Sequence, residues 1–279
     1  MTAFYAYAVV PGSFAPAGAP SGIDDGPVDV VRAGEIAALV TPIDEAKYDP
    51  ALVAEMSQDL AWLGARASAH DQVMTWAVDQ TTVIPLPLFS LFHDAAGVQQ
   101  MLARRNGELR ETLNRLRDAR EYTVRIYRLD QPLLASLSLH SREIADLESR
   151  AAQASPGQRY LLDRKLEQAR RAELERISHE SANTAFETLS GFARSCARDA
   201  VTSQPAASGH AVLNASFLVG TADVEAFRLA VTRLMADLGS RGFSFEFTGP
   251  WAPYHFVGAP DPGWAGPTAA AATQHGKSM

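Results

Sequence analysis

The chain has 279 residues, 47% of them hydrophobic, with a formal charge of −7 and one cysteine, Cys196. That length and apolar content supply one large core or two ordinary ones, and two domains are expected. The acidic balance argues against a nucleic-acid scaffold, and a single cysteine excludes an internal disulfide and fits a reducing, cytoplasmic setting. No apolar stretch is long enough to span a bilayer, and Met1-Thr2-Ala3-Phe4-Tyr5 brings no Lys or Arg ahead of an apolar run that Pro11-Gly12 interrupts, so neither a membrane segment nor a secretory signal is expected.

In chain order, Ala3 to Val10 is aromatic and β-branched and reads as a strand ending at Pro11-Gly12. After a loop rich in Pro, Gly and Ala, Val28 to Val31 and Ile36 to Val40 flank Ala33-Gly34 as a hairpin whose glycine supplies positive φ. From Pro50 to Val78 the residues Leu52, Met56, Leu60, Leu63, Val73 and Ala77 recur at helical spacing, one kinked helix or two, with Gly64 as the break. Thr81 to Leu86 is strand-like, but Pro85 and Pro87 cannot donate ladder hydrogen bonds, so its later half lies at an edge or leaves the sheet. Asp94 caps a helix carrying Val98, Leu102, Leu109, Leu113 and Leu116 on one side, and Tyr122 to Tyr127 alternates as a strand. Residues 1–128 thus form an α+β domain, with a ferredoxin-like layer of helices on one sheet face.

Pro132 to Arg150 reads as one helix, interrupted at Ser155-Pro156-Gly157. Gln158 to about Asp199 then allows a helix or helix pair about 60 Å long. Its apolar stripe is Leu174, Ile177, Ser181, Ala185, Leu189, Phe192 and Cys196, where the cysteine acts as a small buried hydrophobe. Between Arg159 and Arg176 charges are dense, with Glu167 and Arg171 four apart, which predicts a solvated face or a contact with a partner helix. Val212 to Val219, a helix marked by Val224, Phe227, Val231, Leu234 and Leu238 with Gly239 as its C-cap, and Phe243 to Phe247 predict a parallel, right-handed βαβ crossover. Residues 129–258 are therefore a second α+β domain with long helices, and the Gly-, Pro- and Ala-rich residues 259–279 a disordered tail.

Chemistry-bearing motifs are absent by type. His179-Glu180-Ser181-Ala182-Asn183 begins like a zinc-protease helix but has Asn183 where the second histidine is needed. His70 and His93 adjoin predicted helices, where a partly buried hydrogen-bonding role for His70 and Asp94 as a cap explain them. Asn214-Ala215-Ser216 is a sequon inside a strand, and no glycine-rich phosphate loop follows a strand. No catalytic, cofactor or metal site is expected, nor a small-molecule substrate. Gly249, Pro250, Trp251 and Tyr254 read as a structural turn whose aromatics cover a sheet, in preference to a partner anchor. The run Leu86, Leu88, Phe89, Leu91 and Phe92 continues past the prolines with no face to hide, so it either enters the core or meets a partner.

Several strings resemble, in order and spacing, landmarks of the gas vesicle protein F/L family. They are Phe4-Tyr5-Ala6-Tyr7-Ala8-Val9-Val10, Ile36 to Val40, His70-Asp71, Thr82-Val83-Ile84-Pro85-Leu86, Gly157-Gln158-Arg159-Tyr160-Leu161-Leu162, Leu213 to Val219 and Thr248-Gly249-Pro250-Trp251-Ala252-Pro253-Tyr254-His255-Phe256-Val257. The resemblance covers about residues 4 to 257. One departure stands out: the family's Pro-Leu-Arg-Phe-Gly-Thr is here Pro85-Leu86-Pro87-Leu88-Phe89-Ser90, without the arginine or the glycine. The resemblance implies two α+β domains with ferredoxin-like features, no cofactor and no enzymatic activity. It also implies an accessory or minor structural role in gas vesicle assembly, nucleating the vesicle or assisting assembly of its shell and associated with it, with the small hydrophobic shell protein and other accessory proteins as partners. A small-molecule-sensing module of ferredoxin-like domains is the alternative, and a hydrolase a third.

Overall fold

Each half of the chain builds its own four-stranded antiparallel sheet, in a computed structural model that describes residues 2–201 and 209–258. The tail expected to be disordered, residues 259–279, lies outside the described residues. One unit runs up to Arg120 and takes back the chain from Pro250; the other is Glu121–Gly249.

The first unit comprises β1 (Thr2–Pro11), β2 (Asp29–Ala33), β3 (Ile36–Asp44), α1 (Pro50–Met56), α2 (Leu60–Gln80), β4 (Ile84–Phe92), α3 (Ala95–Arg104) and α4 (Asn106–Leu116). Its strand order is β2-β3-β1-β4. The predicted hairpin closes at Gly34 with φ +67°, and Val31 pairs with Ala38 across it. On one face Tyr5, Tyr7, Leu39 and Ile43 meet Val73, Met74 and Ala77 of α2. Ala6, Val9, Ala38 and Val40 are buried outside that cluster, as strand alternation requires, and α3 and α4 pack on β1, β3 and β4. Helices therefore cover both faces instead of the one expected. That is why β1 is apolar along its whole length rather than at every second residue. The break between α1 and α2 falls at Ser57–Asp59, not at Gly64, because the Asp59 carboxylate accepts the Ala61 and Trp62 N–H groups and starts a new helix there.

The second unit comprises β5 (Ala119–Arg128), α5 (Asp130–His140), α6 (Arg142–Gln153), α7 (Pro156–Ser190), β6 (Ser195–Arg198), β7 (His210–Gly220), α8 (Val224–Gly239) and β8 (Phe243–Trp251). The order β6-β7-β5-β8 repeats that of the first sheet: the first strand lies between the third and fourth, and the second takes an edge. With helices in both crossovers this is the βαββαβ arrangement. The strand Tyr122 to Tyr127, assigned from sequence to the first domain, is the centre of this sheet, which moves the boundary from residue 128 to Arg120. Its buried Tyr122, Val124 and Ile126 pack with Phe217 and Phe227. The β7–α8–β8 crossover consequently spans β5, so β7 and β8 are not neighbours.

Other boundaries shift for local reasons. Ser141 splits the predicted Pro132–Arg150 helix, its hydroxyl receiving the Ile144 N–H. Pro156 opens α7, where its missing N–H is no loss. That helix has 35 residues, about 52 Å, and ends before the predicted stripe does. Cys196 sits exposed on β6, opposite Phe217 of β7, because sheet pairing claims that segment. The charged stretch of α7 meets a helix of its own chain: Leu166 and Leu174 join Ile144 and Leu147 of α6, and Arg170 reaches Glu148 at 2.6 Å. Gly239 stays helical; the left-handed glycine is Gly242, φ +91°, where a Cβ would stand 2.9 Å from the Leu133 nitrogen.

Gly249 is bound more tightly still, with φ +120° and space for a Cβ only 2.8 Å from the Glu121 carbonyl oxygen. A Gly249→Ala chain is expected to lose more than about 1 kcal/mol, read as a lower Tm; an unchanged Tm would show that β8 can shift from β5 freely.

Candidate functional site

The apolar run Leu86–Phe92 forms most of β4, an edge strand. Ala8 pairs with Pro85 and Ala6 with Ser90, so Leu86, Pro87, Leu88 and Phe89 all stand opposite Tyr7 as a four-residue bulge. Pro87 cannot continue the ladder, and the chain recovers its register only by placing Phe89 at φ +63°. A bulky side chain seldom adopts that conformation. The bulge is fixed by the Ser90 hydroxyl donating to the Pro87 carbonyl at 2.7 Å and by the Phe89 N–H donating to Tyr5 Oη at 3.3 Å. The position where the family pattern has glycine is the one whose backbone is left-handed; here the ring of Phe89 holds it, stacked on Trp62 at 5.5 Å and edge-on to Tyr5 at 6.4 Å.

The five apolar candidates therefore divide. Leu86 and Phe89 belong to the core, 2% and 1% exposed, while Leu88, Leu91 and Phe92 are half-buried at the edge, Leu88 and Leu91 also packing against that core. The strand does not stop at the prolines, because tertiary packing of Phe89 outweighs the two missing donors.

Under the bulge lies a buried polar chain that pairs residues far apart in sequence. Tyr5 Oη accepts from the Phe89 N–H and is hydrogen-bonded to His70 Nδ1 at 2.8 Å. The other ring nitrogen, Nε2, faces Tyr254 Oη at 3.3 Å. Tyr7 Oη donates to Thr41 and accepts from the Ile23 N–H. The sequence reads His70 as a partly buried hydrogen-bonding residue, and it is 5% exposed, but Tyr5 and Tyr254, 65 and 184 positions away, carry no local signal of the connection. Tyr254 belongs to the returning segment, which is also held by the burial of Ala252 and Phe256 and by Arg115 donating to the Phe256 carbonyl at 2.8 Å. Trp251 and Tyr254 remain 41% and 49% exposed, and Pro250 is half-buried.

Burial holds the His70 pKa down at about 4, against 6.5 ordinarily. Between those values the unfolded chain takes a proton that the folded one refuses, so stability falls as pH drops from 6.5 to 4 and falls no further from this group below 4. The full loss is about 3 kcal/mol. In urea titrations at pH 7 and pH 4.5, His70→Gln is expected to show a shallower acid loss than the parent protein; equal slopes would assign that loss to carboxylates instead.

The remaining candidates stay apart. His93 is exposed and bonds Glu45 at 2.8 Å, and His179 is exposed on α7, with Asn183 accepting from Arg198. Among the described residues no group of three His, Cys, Asp or Glu side chains is placed to hold a metal ion, and no helix is long and apolar enough to cross a membrane. A crevice lined by Val78, Thr81, Leu116, Arg120 and Trp251 has a volume of about 10 Å³, room for one water molecule.

Comparison with known proteins agrees along the whole described chain. The family model described as gas vesicle synthesis protein GvpL/GvpF matches residues 3–258. Gas vesicle protein L of Streptomyces sp. (strain CB03234) is 29% identical over 243 residues, covering 85% of each chain. Gas vesicle protein L2 of Halobacterium salinarum is 26% identical over 267 residues, covering 92% of this chain and 91% of that one. The crystal structure of GvpF from Anabaena sp. PCC7120 superposes with a TM-score of 0.68 at 17% identity, covering 94% of this chain and 98% of its own. That of GvpF from Microcystis aeruginosa gives 0.64 at 16% identity, with 92% and 99% covered. These two likenesses concern the fold.

Proposed function

Because the chain belongs to the gas vesicle synthesis protein GvpL/GvpF family, we propose that it serves gas vesicle formation by holding the small hydrophobic shell protein at the β4 edge until that protein joins a growing vesicle. A role in gas vesicle formation, in association with other gas vesicle proteins, goes with the family. The observation that carries the finer reading is the half-buried trio Leu88, Leu91 and Phe92 beside a broken ladder. An apolar subunit aggregates unless its surface is covered, and an edge of leucine and phenylalanine can cover it without chemistry. Pro85 and Pro87 keep the same edge from recruiting strands indiscriminately.

Leu88→Asp and Phe92→Asp place charge on this edge while leaving Phe89 in the core. The Phe92→Asp chain is expected to keep its Tm within a few degrees, the Leu88→Asp chain to fall further because that side chain also packs on the core, and each to lose at least tenfold in capture of purified shell protein. Undiminished capture, or a parent protein that neither captures the shell protein nor delays its aggregation, overturns the reading.

A further inference from the structure

The turn between α6 and α7 carries a second exposed apolar surface, remote from β4 in the chain. Along α7, Leu166 and Leu174 are buried and Leu162 packs against the same core, which fills the seam with Ile144 and Leu147 of α6. Helix geometry turns each residue by about 100°, which sets Tyr160 and Leu161 on the side away from that seam. Both are 62% exposed and neither has a ring or core partner among the described residues. A single exposed leucine is ordinary, but an adjacent tyrosine and leucine at a helix-hairpin tip make a compact knob of the kind that anchors interfaces.

The charge around this knob opposes that of the molecule. Arg150, Arg159, Arg164 and Lys165 are all exposed there, against two exposed carboxylates, Asp163 and Glu167, in a chain of net charge −7. Arg159 reaches Asp163 only at 3.9 Å, and Arg150, Arg164 and Lys165 have no carboxylate partner among the described residues.

We propose that Tyr160 and Leu161, ringed by Arg150, Arg159, Arg164 and Lys165, dock an acidic amphipathic helix of another protein. Its apolar side would cover the knob and its carboxylates would meet the four cations, giving steering and register together. A second copy of this chain fits less well. The exposed apolar pair on α8, Leu229 and Met235, is flanked by Glu225 and Asp237 as well as by Arg228 and Arg233, a mixed surface instead of the acidic one that four cations would select. Two apolar side chains are also too few for the broad face with which a helix lies in a lipid surface.

The test replaces Tyr160 by the photoreactive p-benzoylphenylalanine in the full chain, in a host forming vesicles, and maps the crosslinked peptide by mass spectrometry. The expected product joins position 160 to an acidic helical segment of another protein. Its yield should fall at least fivefold with Arg164→Glu and Lys165→Glu together, and fall with added salt when the purified pair is irradiated. Circular dichroism should show both charge-reversed sites to leave folding unchanged, since they are exposed. Crosslinks to a second copy, crosslinks to lipid, insensitivity to charge reversal, or a yield no higher than from the same photoreactive group at exposed Thr232 each overturn the proposal. The β4 reading is untouched by any of these results, because its readout is capture of shell protein by Leu88 and Phe92 variants.

Discussion

Replacing Phe227 by alanine is expected to destabilise the Glu121–Gly249 unit by about 3–5 kcal/mol. The ring is fully buried and touches one aromatic from each of three strands: Tyr122 of β5 at 6.0 Å, Phe217 of β7 at 5.4 Å and Phe247 of β8 at 6.1 Å. Its loss leaves a cavity under the middle of the sheet, so both the transfer and the cavity contributions are felt. The neighbouring Phe245 is only half-buried against this core, and its truncation should have the smaller effect. Two units need not unfold together, so one midpoint would mislead. Hydrogen exchange of β7 amides isolates the response, because it follows local opening. A loss below about 1 kcal/mol would mean that Phe217 and Phe247 close over the gap.

Phe89 should behave as a core residue with an unusual backbone. Phe89→Ala is expected to lower the stability of the first unit by about 3–5 kcal/mol, as the stack on Trp62 and the edge contact with Tyr5 disappear. Trp62 and Trp76 make tryptophan fluorescence the natural readout, since Glu121–Gly249 has no tryptophan. The decisive comparison is with Phe89→Gly. At an ordinary site glycine is the worse replacement by up to about 1 kcal/mol, but at φ +63° it removes strain that alanine keeps, so the order should reverse by about 1 kcal/mol. If alanine is the better replacement, the bulge relaxes to a conventional backbone once the ring is gone. A normal Tm for either variant would return Phe89 to the surface and to the partner.

Where the pattern was local and one-sided, the sequence could be read directly. The Gly34 hairpin and the Asp94 cap have their signals within a few residues of their consequences, and the residues of the Val98–Leu116 stripe are buried as read, although Arg105 divides the single helix expected there into α3 and α4. What it hid is set by distance. The strand at Tyr122 has the same alternation whichever sheet it joins, and only its packing on Phe217 and Phe227 decides. Cys196 fits a helical stripe as well as it fits β6, and β7 makes the choice. The apolar run at Leu86 is visible as a candidate, yet the split between a fully buried Phe89 and a half-buried Leu88 depends on a bulge opposite Tyr7 that no periodicity encodes. The hydrogen bond between His70 and Tyr254 joins residues 184 apart.

That long connection also imposes a schedule on synthesis. The first unit is interrupted at Arg120 and resumes at Pro250, so the chain that supplies Ala252, Tyr254 and Phe256 emerges only after the whole of the other unit has been made. At ribosomal speed that interval is on the order of ten seconds. During it β1, α2 and the bulge of β4 can assemble, but His70 still lacks its second tyrosine and Arg115 the Phe256 carbonyl. The nascent protein thus spends its first seconds with the β4 edge made and the closing strap missing, and a ribosome stalled between residues 121 and 249 would release a first unit that can never be finished.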